Sequence, residues 1–185
     1  SKESGEGTTV EKEEKLDPWQ QFAFDIVCRR EVPDDKQVCM ILTGTAGTGK
    51  SRTIKACVRG RMQKSRSSRR TQACVLAAPT GCASFQMKHG ATTIHRAFGV
   101  PVGFCGPTEV KTSKHFLKRK HRLQAAELFV IDEFSMMGRQ MLGKVDFKVQ
   151  EALQARGVPW KSWGGRDLIL AGDSKQAAAI GDEPL

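Results

Sequence analysis

The sequence lacks the features that would place this protein in a membrane or a secretory pathway. Its 185 residues contain no run of eighteen apolar residues, so no membrane-spanning helix is predicted. The N-terminus lacks the basic-then-apolar layout of a signal peptide. The six cysteines include no C-x-x-C pair, and Cys39 and Cys74 fall in predicted buried strands, which favours small core hydrophobes over metal ligands or disulfides. We therefore expect an intracellular protein with no membrane contact.

Acidic residues are missing from the whole segment between Asp35 and Glu109, whereas Lys and Arg occur throughout it. The net charge is +10, and the basic residues are concentrated in Arg59–Arg70 and Lys111–Arg122. A charge run is often only a solvated loop, and the first run also fits a nuclear address. A strongly basic domain nevertheless favours polyanions as partners, so we predict a nucleic-acid ligand.

The order of apolar and polar segments predicts an α/β fold. Residues 1–15 are rich in Glu, Lys, Gly and Ser and are predicted to be a disordered tail, with a single domain over 16–185. Short apolar runs predict strands at 38–42, 73–78, 128–131 and 168–171, and the first three have the pattern of strands buried on both faces. One helix is predicted to begin at Asp17-Pro18, before the first strand, and further helical patterns at 52–62, 82–87 and 137–155 lie between the strands. This alternation predicts a mostly parallel sheet with helices on both faces.

A phosphate-binding motif directly follows the first predicted strand. Residues 44–51 read G-T-A-G-T-G-K-S and fit G-x-x-x-x-G-K-[ST], the P-loop. The motif predicts that a triphosphate is wrapped by the backbone of Gly44, Thr45, Ala46, Gly47, Thr48 and Gly49. Lys50 would reach the β- and γ-phosphates, and the Ser51 hydroxyl would ligate Mg²⁺. A chance glycine-rich turn is the alternative, but a strand before and a helix after favour a site for ATP and Mg²⁺.

An acidic pair follows the third predicted strand. Asp132 and Glu133 come directly after an apolar run, which is the Walker B arrangement. Asp132 would hold Mg²⁺ through its water shell, and Glu133 would polarise the water that attacks the γ-phosphate. The alternative is an acidic pair placed at a helix N-terminus by the helix dipole. The P-loop in the same domain favours the catalytic interpretation.

Further motifs give the chain a family resemblance. Residues 78–83 (A-P-T-G-C-A), 91–98 (A-T-T-I-H-R-A-F), 131–137 (I-D-E-F-S-M-M) and 163–176 (W-G-G-R-D-L-I-L-A-G-D-S-K-Q) follow the P-loop in that order. Together they resemble the motifs of superfamily 1B DNA helicases, and most closely those of the Pif-type group. Residues 16–20 (L-D-P-W-Q) resemble the adenine-reading Q motif of that group.

The resemblance implies roles for further residues. Gln20 would read the adenine edge, for which an amide supplies both a donor and an acceptor. Gln176 would sense the γ-phosphate and report it to the DNA side. The single-strand track would be lined by Pro79, Thr80, Gly81, Thr93 and His95, with Phe98 as a base-stacking platform. His95 could instead be a core histidine, and Phe98 a buried aromatic.

The resemblance also implies the function. It identifies the chain as the first RecA-like P-loop NTPase motor domain of an ATP-dependent DNA helicase that moves 5′ to 3′ on single-stranded DNA, acting as a monomer in genome maintenance such as repair, recombination or telomere work. The family's second RecA-like domain, with its activating arginines, is not in this sequence, and Ala177–Ala179 replace the family's Leu-Pro-Pro. The alternatives are a nucleotide- and single-strand-binding module without motor activity of its own, and a P-loop ATPase or kinase unrelated to DNA.

Overall fold

The computed structural model describes residues 15–28, 36–65, 72–87, 90–101, 112–153, 159–173 and Glu183. In chain order, the elements are α1 (Pro18–Cys28), β1 (Cys39–Thr43), α2 (Lys50–Lys64), β2 (Cys74–Ala78), α3 (Gly81–Met87), β3 (Thr92–Thr93), α4 (Ile94–Phe98), α5 (Lys114–Ala125), β4 (Leu128–Ile131), a 3-10 turn (Phe134–Met136), α6 (Arg139–Leu153), a second 3-10 turn (Ser162–Gly165) and β5 (Asp167–Gly172). The expected disordered tail lies outside the described residues up to position 14.

The strands form one parallel sheet in the order β1-β5-β4-β2-β3. In the centre, Ile131 of β4 lies opposite Ala77 of β2 and Leu170 of β5. Thr43 at the end of β1 lies opposite Gly172 at the end of β5. The loops that follow the strands therefore emerge at one edge of the sheet, and the predicted parallel α/β architecture is confirmed.

Helices cover both faces of the sheet, as predicted. On one face, α4, α5 and α6 pack over Phe98, Phe129 and Trp163, whose rings contact one another with centroids 5.9–6.5 Å apart. On the other face, α1 and α2 bury Val27 and Val58 against β2, β4 and β5. No helix in the described part of the chain is both long and apolar enough to cross a bilayer.

The prediction that the first strand is buried on both faces is wrong. Strand β1 lies at the edge of the described sheet, its exposure alternates along the strand, and Ile41 is 64% exposed. Cys39 is exposed for the same reason, whereas Cys74 in the interior strand β2 is buried. An apolar run indicates that a strand is hydrophobic, but it does not indicate whether other strands lie on both sides of it. The edge position of β1 therefore could not be predicted from its composition.

Much of the two basic runs is helical rather than looped. The helix α2 extends to Lys64 and so includes the first part of Arg59–Arg70, whose residues 66–70 lie outside the described set. The second run contributes α5, which begins where the Ser113 hydroxyl accepts a hydrogen bond from the Phe116 N–H at 3.1 Å. A side-chain cap of this kind satisfies a backbone donor at a helix start.

One buried ion pair joins elements that are far apart in sequence. Arg61 on α2 pairs with Asp167 at the start of β5, and their side chains are only 18% and 5% exposed. The same carboxylate accepts the Val38 N–H at 2.8 Å, and Arg61 also donates to the Val27 carbonyl at 2.7 Å. The pair therefore fixes the ends of α1, β1 and β5 to one side chain of α2.

Asp167→Asn should lower the free energy of unfolding by about 3 kcal/mol, because it leaves the Arg61 charge without its buried partner. The matched control is Glu151→Gln, which breaks the pair between Glu151 and Lys148 within α6 (2.9 Å) and should cost about 0.5 kcal/mol or less. Urea unfolding followed by circular dichroism measures both. Equal effects of the two substitutions would contradict the role assigned to the buried pair.

Candidate functional site

The strand register brings the predicted motifs to one edge of the sheet. Along that edge, Gly44 follows β1, Asp173 follows β5, Asp132 follows β4 and Pro79 follows β2. The Asp132 N–H donates to the carbonyl of Ala77, which holds the end of β4 against β2. In open α/β sheets, ligands bind beyond the carboxyl ends of the strands, so this edge is the candidate site.

The P-loop forms a tight turn between β1 and α2. Gly47 and Gly49 have φ values of +83° and +84°, a left-handed conformation that side chains disfavour. The Lys50 ammonium lies back over this turn and donates to the carbonyls of Gly44 and, at 3.0 Å, Thr45. Thr48 closes the turn by donating its hydroxyl to the same Thr45 carbonyl at 2.9 Å.

The N-terminus of α1 places Gln20 beside the P-loop. The Asp17 carboxylate accepts the N–H groups of Trp19 and Gln20 at 2.9 Å, and the Gln20 side chain accepts the Asp17 N–H at 3.2 Å. This reciprocal cap confirms the predicted helix start at Asp17-Pro18. A Cβ on Gly49 would come within 2.3 Å of Gln20 Nε2, so the amide touches the loop directly.

The acidic pair lies in a strained turn at the end of β4. Glu133 has a φ of +55°, and its N–H donates to the Asp132 carboxylate at 3.0 Å. Burial raises the pKa of the Asp132 carboxyl, against the opposing effects of that N–H and the Lys50 charge. Burial and the Asp132 charge raise the pKa of Glu133, again opposed by Lys50. The two carboxyls and the ammonium therefore share one electrostatic site.

Asp173 belongs to the same site, although sequence reasoning gave it no role. It is 8% exposed at the end of β5, and its charge adds to the rise in the pKa of Glu133. The preceding residue, Gly172, lets the turn after β4 approach closely, since a Cβ there would lie 3.0 Å from Phe134 Cδ1. The sequence signal that could have assigned Asp173 to the site was the apolar strand 168–171 followed directly by Gly172 and this acidic residue.

The residues predicted to line a DNA track lie on the other side of the acidic pair. Pro79 and Thr80 are half-buried after β2, and Gly81 is exposed. The Thr80 hydroxyl accepts the Ala83 N–H at 3.2 Å at the start of α3. Thr93 lies next to Ala78 in the sheet, and His95, also half-buried, follows on α4. The structure therefore brings these predicted residues together along the edge formed by β2 and β3.

Phe98 is not a stacking platform. Its side chain is fully buried and packs against Phe129 and Trp163, so no base can reach it. The alternative interpretation, a core aromatic, is the one that the structure supports. Gln176 and Ala177–Ala179 lie outside the described residues.

Comparison with known proteins assigns the family. The model of the family described as PIF1-like helicase matches residues 15–184. The chain belongs to the PIF1-like helicase family. It is 31% identical over 146 residues to an ATP-dependent DNA helicase PIF1 of Trypanosoma brucei brucei, and 31% identical over 144 residues to the protein of the same name from Saccharomyces cerevisiae. These matches cover 79% and 77% of the chain but only 13% and 16% of the relatives.

Solved structures give the same assignment. The chain superposes with a TM-score of 0.65 and 26% identity on a Bacteroides Pif1 helicase in complex with ADP-AlF3 and single-stranded DNA. A second Bacteroides structure, bound to single-stranded DNA, matches with a TM-score of 0.63 at 25% identity. Each covers 90% of this chain, whereas this chain spans 34% of each of them. The RecA-like fold expected from the motifs is confirmed.

Gly49→Ala should destabilise the chain more than Gly47→Ala. Both substitutions place a Cβ on a left-handed residue, which costs about 1 kcal/mol. Only the one at Gly49 also displaces the Gln20 amide and its bond to Asp17, adding on the order of 0.5–1 kcal/mol, because the space around Gly47 is open.

Urea unfolding of the two single variants measures this difference. In a Gln20→Ala background, the extra cost at Gly49 should disappear, because the displaced amide is no longer there. A difference that persists without Gln20 would show that the contact does not cause it.

Asp132→Asn should raise the unfolding temperature of the ligand-free chain by a few degrees at pH 7. The folded-state pKa of Asp132 lies above its unfolded-state value, so ionisation costs the folded state free energy at pH values above the folded pKa. The amide removes the charge and keeps an acceptor for the Glu133 N–H. The gain should shrink as the pH falls through the folded pKa, where Asp132 itself becomes neutral.

Scanning fluorimetry between pH 7 and pH 4 tests this pH dependence. Asp25→Asn on α1 is the control for removing one carboxylate charge. An Asp132→Asn chain that unfolds at a lower temperature than the parent at pH 7 would contradict the assigned electrostatic cost.

Proposed function

We propose that this chain is the ATP-binding motor domain of an ATP-dependent DNA helicase that moves 5′ to 3′ on single-stranded DNA. One observation carries the proposal: the P-loop after β1 and the acidic pair after β4 lie at the same edge of one parallel sheet, where the Lys50 charge opposes the rise in the pKa of both carboxyls. The loops after β2 and β3, which hold the proposed DNA residues, lie next along the same edge. Membership of the PIF1-like helicase family supports the same activity.

In this proposal, hydrogen bonds within the P-loop are replaced by hydrogen bonds to phosphate oxygens when a nucleotide binds. Lys50 holds the carbonyls of Gly44 and Thr45, and a triphosphate would offer charged acceptors in their place. The N–H groups at the start of α2 add favourable partial positive charge. Gln20 lies against Gly49, which supports its proposed role in recognising the adenine edge.

The residues present also fit Mg²⁺. The described residues contain no group of three or more acidic, His or Cys side chains able to hold a metal ion. Mg²⁺ does not need one, because in nucleotide sites it takes one or two protein ligands, substrate phosphates and waters. Ser51 is the second residue of α2 and is exposed, and the Lys50 charge acts on the pKa of the Asp132 carboxyl. These two residues would therefore hold Mg²⁺, Asp132 through water. The chemistry that Mg²⁺ would supply there is the neutralisation of phosphate charge.

Glu133 is the proposed base of the reaction. Its raised pKa reflects burial and the Asp132 charge, so its carboxylate binds a proton more readily than an exposed glutamate. From this position, it would orient a water and accept its proton as the water attacks the γ-phosphate. We propose that Gln176 senses that phosphate and that the arginines of a second RecA-like domain, elsewhere in the full-length protein, complete the site.

The DNA side of the proposal rests on the neighbouring loops. Thr80 uses its oxygen as an acceptor for the Ala83 N–H, which leaves the hydroxyl proton to donate to a phosphate. Gly81, Thr93 and His95 extend the same edge. The Asp132 N–H bond to Ala77 joins the acidic pair to the strand that precedes Pro79, and we propose that this connection links the nucleotide state to the DNA loops. Membership of the PIF1-like helicase family supports a role in genome maintenance as part of this proposal.

Lys50→Ala should weaken ATP binding tenfold or more, because it removes the cation that faces the phosphates. Glu133→Gln should leave ATP affinity within about twofold but lower DNA-stimulated turnover by about 10²-fold or more, since the amide cannot accept the proton. Fluorescent nucleotide titration of this chain measures the first effect, and phosphate release by the full-length protein with Mg²⁺ and an oligothymidine strand measures the second. Glu151→Gln on α6 is the control for loss of a carboxylate.

Unchanged turnover in Glu133→Gln would contradict the assignment of the base, and unchanged ATP affinity in Lys50→Ala would contradict the P-loop assignment. A parent chain that binds ATP and the strand without turnover would support the alternative, a binding module that needs the rest of the protein for hydrolysis.

A further inference from the structure

Two cysteines that are far apart in sequence meet where α1 packs on α2. Cys28 is the last residue of α1, and Cys57 lies in the middle of α2, 29 positions further along the chain. The Cys28 thiol donates a hydrogen bond to the Cys57 carbonyl, with Sγ 3.3 Å from the oxygen. Both side chains are buried among the apolar residues between these helices and the sheet. In the reduced chain, the two residues are therefore part of the hydrophobic core and in direct contact.

A glycine on α2 allows this close approach. A Cβ on Gly60 would lie 2.8 Å from the Cys28 Sγ and 2.7 Å from Phe24 Cε2. A side chain at this position would therefore push the end of α1 away from α2. A disulfide needs backbones that approach closely, because its two Cα atoms are about 4.4–6.8 Å apart. The packing at Gly60 thus favours a bond between Cys28 and Cys57.

Two cations on α2 hold the end of α1 beside Cys57. Arg61 donates to the Val27 carbonyl at 2.7 Å, and the Lys64 ammonium donates to the Cys28 carbonyl. A hydrogen bond from the Cys57 thiol lowers the pKa of Cys28, although burial opposes the shift. The charges of the two cations lower it further. The contacts that position Cys28 therefore also favour its thiolate, which is the form that reacts with oxidants.

The other described cysteines are placed differently. Burial raises the pKa of Cys74 to about 12, and its thiol donates to a carbonyl of α2 over a longer distance, 3.9 Å. Cys39 and Cys82 are exposed and lie on β1 and α3. Cys28 and Cys57 are thus the two described cysteines that a hydrogen bond joins directly.

We infer that Cys28 and Cys57 form a site of oxidative modification, at which hydrogen peroxide converts the two thiols into a disulfide. The Cys28 thiolate attacks one peroxide oxygen, the O–O bond breaks, and the leaving hydroxide takes up a proton to become water. The Cys57 sulfur then attacks the resulting sulfenic acid, the S–O bond breaks, and a second water leaves with the Cys57 proton. Two thiols are thereby oxidised, and one peroxide is reduced to two waters.

The bond would join the two helices that flank the P-loop. The first turn of α1 carries Gln20 against Gly49, and α2 begins with Lys50. A disulfide restricts the unfolded chain, so oxidation should stabilise the domain and fix the end of α1 on α2. The inference goes beyond the proposed function and does not depend on it.

Peptide mass spectrometry of the full chain after treatment with graded hydrogen peroxide tests the site. Free thiols are alkylated before digestion with trypsin, which releases Cys28 within residues 16–29 and Cys57 within residues 56–59. The expected product is these two peptides joined, and it should be lost when dithiothreitol is added before alkylation. The unfolding temperature should rise by about 5 °C or more on oxidation and return on reduction.

Cys28→Ala and Cys57→Ala should each abolish the joined peptides and the rise in unfolding temperature. The matched control is Cys82→Ala, which removes an exposed thiol and should leave both results unchanged. Thermal unfolding in reducing buffer checks that the variants fold. The joined peptides are measured in the parent chain, so the site is tested even where a variant fails to fold.

Three results would overturn the inference. Peroxide could oxidise the exposed Cys39 and Cys82 while both proposed residues remain free thiols. Cys28 could form its disulfide with Cys74 instead of Cys57. The rise in unfolding temperature could persist in Cys57→Ala. Failure of the proposed function would look different, because a chain that binds neither ATP nor DNA can still form the joined peptides.

Discussion

The hydrogen-bonded ladder between β4 and its two neighbours fixes the position of the whole candidate site. Ile131 lies opposite Ala77 on one side and Leu170 on the other, so the residues that follow these strands emerge at the same height. A slip of one residue would turn the side chains of β4 to the opposite face, and both hydrophobic cores forbid it. The acidic pair therefore owes its place between the P-loop and the DNA loops to apolar packing on both faces of the sheet.

The same packing offsets the free-energy cost of burying the charged groups of the site. Asp132 and Glu133 are ionisable groups drawn out of water, and burial raises the pKa of each. Glu133 adds a left-handed backbone, a conformation that costs on the order of 1 kcal/mol or more for a residue with a side chain. Lys50 offsets part of the charge cost. A triphosphate with its cation would add further attraction, so binding and the relief of this cost are coupled.

Sequence reasoning located the parts of the site whose chemistry depends on local pattern. The P-loop, the acidic pair and the interior strands β2, β4 and β5 combine a continuous apolar run with a polar turn, and the structure has each where the pattern predicted it. Features that depend on the surrounding elements were predicted less well from the sequence. Strand β1 has an interior composition but an edge position, while α4 and β3 are too short to show a period. The sequence pattern did not predict α5, because most of its side chains are polar or charged. Leu123 is the one residue that this helix buries, so it shows no apolar periodicity.

Phe98 and Arg96 show why a motif alone does not assign roles within it. Both lie in the five-residue helix α4, yet Phe98 is enclosed by Phe129 and Trp163 whereas Arg96 is exposed. Helical geometry separates them, because positions two residues apart face different directions. A short helix with one side chain anchored in the aromatic core thereby holds another at the surface with little freedom.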